Sequence, residues 1–231
     1  MTVVDFKPNN HIPLVLGDDE HWVSFEKAPE FLTLVNPINY EFTTNPHTTV
    51  VKSRPISCYK NGLILRVEDP SWKEDWAVFY FLFANDKYFQ FGSINEEIWN
   101  INEEASLDIN KHTVVDYLKL QGYFYQLNDD GSNLILENHQ SEFIDMIGYS
   151  NELEKQRIHQ KLKPPVISGP DQNKVIKVEC DVLNGQTILR YKFQVTEKGL
   201  IDFDEFKIIM GSHSIFADFT TTRFLDEEET Q

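Results

Sequence analysis

The chain has 231 residues, with 21 Lys and Arg against 37 Asp and Glu, and a net charge of −16. Hydrophobic content of 41% and aromatic content of 13% suffice for a packed core and exclude wholesale disorder. The negative charge argues against phosphate-backbone binding, which concentrates Lys and Arg to release counterions, and against docking on anionic lipid.

The longest apolar run, Trp76–Ala84, spans nine residues. A transmembrane helix needs roughly 20. No basic segment followed by an apolar stretch opens the chain, so no secretory signal is read there. Cys58 and Cys180 are most simply two reduced thiols. These features predict a cytoplasmic protein with no membrane contact and no direct nucleic-acid binding.

In chain order, prolines crowd residues 1–70 at 8, 13, 29, 37, 46, 55 and 70. Proline fixes φ and removes a backbone donor, so this segment is predicted as short strands and loops. Phe31–Val35, Thr48–Lys52 and Leu63–Val67 are its strand candidates. Residues 76–92 read as a β-hairpin turning at Asn85-Asp86-Lys87. Its first strand is apolar on both faces, with Phe79, Phe81 and Phe83 on one and Val78, Tyr80 and Leu82 on the other. That pattern predicts a strand covered on both sides.

Ser93-Ile94-Asn95-Glu96 is a capping box, and Ile94, Ile98, Ile101 and Ala105 continue as one helical stripe. A second helix is predicted from about Asn110, with Val114, Tyr117, Leu118 and Gln121 on one face and Gly122 as its stop. Tyr123–Leu127 and Leu134–Glu137 flank Asn128-Asp129-Asp130-Gly131, the composition of a hairpin turn. Phe143, Met146 and Ile147 suggest a short helix. Asn151–Leu162 reads as a helix with Leu153, Arg157 and Ile158 facing one way. Pro164–Pro170 is linker-like. Beyond it lies a meander: Val175–Val182, a turn at Leu183–Gln186, Thr187–Val195, a turn at Glu197–Gly199, then Leu200–Phe203. Lys207–Met210 and Ser214–Phe219 are predicted as further short strands, and residues 226–231 as a disordered acidic end.

The resulting expectation is an α+β protein. Antiparallel sheets dominate, with three or four helices in the middle of the chain, because regular βαβ alternation is absent. Its parts would be a proline-rich segment 1–70, an aromatic hairpin with helices over 71–163, a meander over 171–219 and an acidic tail over 220–231, all compatible with one composite domain.

No motif assigns a reaction. The closest glycines, Gly122 and Gly131, are nine positions apart, which excludes G-x-G-x-x-G and P-loop sequences. The zinc motifs C-x-x-C and H-E-x-x-H and the hydrolase elbow G-x-S-x-G are also missing, so no metal and no cofactor is expected.

Several residues remain chemically suggestive. Asn128, Asp130 and Glu137 match calcium-loop positions three, five and twelve, but Gln126 stands at position one and a polar turn fits better. Asp202 and Asp204, as alternate residues of a strand, would lie roughly 7 Å apart on one face. Such a pair can serve acid–base work, or can be an ordinary solvated face. The Asp18-Asp19-Glu20-His21 cluster, His213 and Cys58 lack partners at a diagnostic spacing. The aromatic ribbon, with Trp76, Tyr80 and Tyr88, could line an apolar ligand pocket, although core packing is the commoner use of such side chains.

Residues 155–177 hold six basic side chains against Asp171 alone. Lys155, Arg157, Lys161 and Lys163 therefore mark a candidate partner surface, for an acidic protein or a second copy of the chain; neutralising nearby acids is the plainer use.

The Ile94–Asn102 helix, Asp116-Tyr117-Leu118 with Tyr123-Phe124, and Leu189, Phe193, Val195, Gly199, Ile201 and Asp204 together resemble an uncharacterised bacterial protein family. The resemblance spans roughly residues 76–210 and implies no activity or catalytic residue.

A non-catalytic cytoplasmic interaction or accessory protein is therefore the leading expectation. A small-ligand-binding or enzymatic protein with a pocket beside the aromatic hairpin is the alternative. An acidic nucleic-acid mimic is disfavoured, because charge is spread: 8 basic against 17 acidic residues over 1–110, and 13 against 20 over 111–231.

Overall fold

The structure, a computed structural model, describes residues 22–35, 44–72, 78–91, 95–124, 133–137, 152–185 and 187–210. Within them lie two antiparallel sheets and four helices, as the α+β reading expects.

The first sheet runs β1 (Val23–Ser24), β2 (Val50–Ile56), β3 (Gly62–Glu68), β4 (Val78–Ala84) and β5 (Lys87–Gln90), each strand beside the next. Ala84 pairs with Lys87, so Asn85 and Asp86 form a two-residue turn. Both have positive φ, 51° and 56°, the conformation that matches the right-handed twist of a hairpin. Strand β4 is covered on both faces as its sequence predicts. Phe79 and Phe81 are buried in one cluster, and Leu82 in another.

The first cluster sits under α1 (Ala28–Val35), which the sequence reading took for a strand. Phe31, Leu32 and Val35 are buried while Thr33 and Leu34 are exposed, a helical spacing of apolar positions. Pro29 falls in the first turn, where its missing donor removes no helical bond. A five-residue window read with period two concealed this.

The second cluster lies between the sheets. It gathers Ile64 and Leu82 with Ile98 and Ile101 of α2 (Asn95–Glu104) and Val114, Tyr117 and Leu118 of α3 (Val114–Phe124). Ile98, Ile101 and Ala105 are buried as the stripe requires; Ile94 and Ser93 lie outside the described residues. Gly122 does not end α3. It sits inside the helix because β6 (Asn133–Leu136) passes so close that a Cβ would strike the Asn133 carbonyl oxygen. Tyr123 and Phe124 are therefore helical rather than extended, β6 pairs with a later strand, and residues 125–127 lie outside the described residues.

The second sheet has the order β10 (Ile201–Met210), β9 (Thr187–Val195), β8 (Ile176–Asn184) and β6. Strand β7 (Val166–Ser168) pairs with Lys177–Glu179, and β6 with Asp181–Asn184, so these two strands share one edge of β8 end to end. The linker-like stretch thus carries an edge strand. Asn184 pairs with Thr187, placing the hairpin turn at Gly185, with φ of 55°. Between β6 and β7 runs α4 (Glu152–His159), in which Ile158 is buried but Leu153 is exposed, so the two do not share the buried face. The residues after α4 cross the face of β8 and β9 that carries Asp181 and Arg190. Arg190 Nη2 donates to the Lys161 carbonyl at 2.9 Å, and the Lys163 amide donates to Asp181 at 2.8 Å.

Candidate functional site: the outer edge of the second sheet

Among the described residues, β10 is the longest strand and stands at the end of its sheet. Its sequence does not alternate simply, because Asp204-Glu205 interrupts the apolar positions. The register explains how the strand accommodates this. Phe203 pairs with Phe193, yet Phe206 pairs with Tyr191, with a shift between Phe203 and Glu205. One extra residue on β10 changes the parity from Glu205 to Ile208, and a second shift follows before Met210. Phe203 and Phe206, three positions apart, consequently reach the same ring: Tyr191 lies 5.4 Å from Phe203 and 5.6 Å from Phe206. Ile208, opposite Leu189, continues that row.

Tyr191 and Phe193 are buried and stacked on each other at 5.2 Å. The β10 row beside them is partly exposed. Phe203 is 39% exposed, Phe206 36% and Ile208 41%. The two short strands expected at Leu200–Phe203 and Lys207–Met210 are one bulged strand with partly exposed apolar side chains.

The start of β10 is fixed by a buried polar network. Tyr59 donates to Asn102 Oδ1 at 2.6 Å, Asn102 Nδ2 donates to the Tyr117 hydroxyl at 2.8 Å, and Tyr117 donates to the Gly199 carbonyl at 2.8 Å. Gly199 has φ of 80°, and a Cβ there would collide with Tyr117 and Asn102. The turn before β10 therefore rests directly on α2 and α3. Burial pushes the Tyr117 hydroxyl above its ordinary pKa despite the Asn102 hydrogen bond, so it remains a proton donor.

Asp202 is exposed and accepts the Phe203 amide at 2.8 Å. The register shift interrupts the two-residue period at Asp204, whose side chain lies outside those described. Tyr80 and Tyr88 are placed on opposite faces of the first sheet. Tyr80 packs 5.4 Å from Phe124, whereas Tyr88 packs 5.0 Å from Phe31. They do not converge on one pocket, and Trp76 lies outside the described residues.

Lys155 and Arg157 belong to α4, and Lys161 and Lys163 follow it, where the backbone of both meets the Asp181–Arg190 pair of β8 and β9. Lys174 is held by Glu197 at 2.8 Å. Asp181, fully buried, receives two hydrogen bonds from Arg190, at 2.7 and 2.9 Å.

Cys58 and Cys180 are both buried. Desolvation, with Asp116 near one and Asp181 near the other, raises both thiols, Cys180 to about 12 and Cys58 further. Neither is an activated nucleophile. Glu137 pairs with Lys119 at 2.6 Å, and the rest of the calcium-like turn lies outside the described residues, as do His21 and His213. Among the described residues, no three His, Cys, Asp or Glu gather to hold a metal. No described helix is long and apolar enough to cross a membrane.

Sequence reasoning missed Phe206 and Ile208, because the signal that joins them to Phe203 is a bulge. The alternation restarts one position late after Asp204, and that late restart is the only trace in the sequence. No family model, curated protein or solved structure matches the chain.

Proposed function

We propose that this is a non-catalytic cytoplasmic interaction protein that binds an extended, basic and apolar segment of a partner protein along β10. The resemblance to an uncharacterised bacterial family is compatible with this reading and adds no activity to it. One observation carries the proposal: a ten-residue strand, at the end of its sheet among the described residues, carries the partly exposed Phe203, Phe206 and Ile208 in one row.

An edge strand offers backbone donors and acceptors to an added strand, and alternate side-chain positions supply specificity. Charge selects the kind of partner. Strand β10 carries Asp202, Asp204 and Glu205 against Lys207 on a molecule of net charge −16. A second copy would bring the same acids to the same edge and be repelled. A partner strand alternating Lys or Arg with aliphatic residues would suit the acidic composition of the strand and pack on the partly exposed rings.

The test uses the full chain and three fluorescent ten-residue peptides: alternating Lys-Val, alternating Glu-Val, and the Lys-Val peptide with proline at alternate Val positions. Anisotropy titration should show saturable binding of the first peptide alone, weakening as salt rises. The Phe203→Ser/Phe206→Ser double variant should lose it. Equal binding of the proline-containing peptide would mean unspecific charge attraction and overturn the proposal, as would unchanged binding by the variant.

A further inference from the structure

The first sheet holds a second feature, independent of β10. Lys52, Arg66 and Tyr80 stand directly opposite one another on β2, β3 and β4. Directly opposed residues share a face, and Tyr80 faces α3 through Phe124. Arg54, two positions after Lys52, lies on that face diagonally across from Arg66. Three cations thus converge on the inner face of a sheet in a strongly acidic protein.

The carboxylate beside them is Glu68. It reaches Arg66 at 3.0 Å and Lys52 at 3.5 Å. Among the described residues, Glu68 is the carboxylate ion-paired with Lys52 and Arg66, and Arg54 has no ion pair of its own. Arg54 Nη1 is buried and has no hydrogen-bond partner. A buried charged donor without an acceptor is costly, and native structures meet such groups with water or a ligand. The surroundings are aromatic as well. Trp22 lies 6.4 Å and Phe124 5.4 Å from the Tyr80 ring, and Tyr123 is close enough for Arg66 to bear on its hydroxyl.

We propose that Lys52, Arg54 and Arg66 form a binding site for the carboxylate or phosphate group of a small molecule, whose apolar part packs against Trp22 and Tyr80. Arg54 supplies the unmatched buried donor. Arg66 and Lys52 supply charge that Glu68 competes for. A guanidinium fork suits both oxyanions, so the choice between them belongs to the experiment.

Calorimetric titration of the full chain at low ionic strength, with benzoate and with inorganic phosphate separately, tests this. Saturable one-to-one binding of at least one is expected, and the stronger of the two identifies the group. Arg54→Met should weaken it about tenfold or more, the effect of losing one charge-assisted hydrogen bond. Glu68→Gln should tighten binding, because it removes the competing carboxylate. Lys174→Met, on the other sheet, should leave it unchanged, and circular dichroism should confirm that each variant is folded. Absence of saturable binding by both anions in the millimolar range would overturn the site. So would equal weakening by Arg54→Met and Lys174→Met, or no tightening in Glu68→Gln. Peptide binding along β10 would stand in either case.

Discussion

Asp69 shows how much one side chain can hold. It follows β3 and is almost fully buried. Its Oδ2 accepts from Thr48 at 2.8 Å and Thr49 at 2.5 Å, and its Oδ1 accepts from the Ser71 hydroxyl and amide at 2.6 and 2.8 Å. The carboxylate thereby ties the residues before β2 to the end of β3. Burial alone would raise its pKa, but these four hydrogen bonds outweigh burial and bring it down to about 2. A carboxylate with a depressed folded pKa contributes stability above its unfolded pKa of roughly 3.9. That contribution is lost as pH falls through the folded value. Asp69→Asn should therefore cost on the order of 2 kcal/mol at neutral pH, and the gap to the parent chain should close between about pH 4 and pH 2. Urea midpoints across that range measure it; a gap independent of pH would show that the cost is not linked to ionisation. Part of this was open to reading, since Asp-Pro-Ser is an Asx-turn sequence. The two threonines, about twenty positions earlier, were not, because only strand pairing brings them across.

At the scale of elements, local chemistry was legible and pairing was not. The Asn85-Asp86 turn, the α2 stripe and the β8–β9 hairpin follow from short-range signals. The identity of α1 did not, because period two and period 3.6 overlap in five residues. Nor did the partner of β6, which is fixed by an approach to α3 across the fold. Gly122 is where that approach becomes testable. As an interior helical glycine it costs about 1 kcal/mol relative to alanine, so propensity alone predicts that Gly122→Ala stabilises. The contact predicts the opposite. The added methyl meets the Asn133 carbonyl oxygen, a backbone atom held by pairing with β8, so β6 or α3 must shift. Overpacking of this kind costs about 1–3 kcal/mol and should dominate. Urea unfolding of Gly122→Ala should therefore show net destabilisation. A gain in stability would mean that β6 gives way freely.

On the scale of the whole molecule, both sheets contribute to one core between them. Ile64 and Leu82 from one sheet and Val178 and Phe193 from the other belong to a single buried cluster with α2 and α3. The cysteines report on whether that core also behaves as one unit. Cys58 follows the first sheet's β2 and Cys180 lies in the second sheet's β8, both in this cluster and both inaccessible. Their raised pKa values keep them as thiols near pH 8, so neither can react with a disulfide reagent until it is exposed. Labelling then measures the free energy of whatever opening exposes each thiol. If the sheets open together, mass-spectrometric labelling in rising urea should give Cys58 and Cys180 the same protection and the same urea dependence, equal to those of global unfolding. A Cys58 that reacts far earlier would place the first sheet in a separate, weaker unit. The inter-sheet contacts argue against that outcome. Gly199, at the turn leading into β10, is held by Tyr117 and Asn102, and Asn102 by Tyr59, one position after Cys58. Exposing Cys58 requires releasing the network that positions the start of β10. The folding unit and β10 are therefore coupled through four residues, and if the proposed peptide binding holds, protection of Cys58 should rise when a Lys-Val peptide occupies β10.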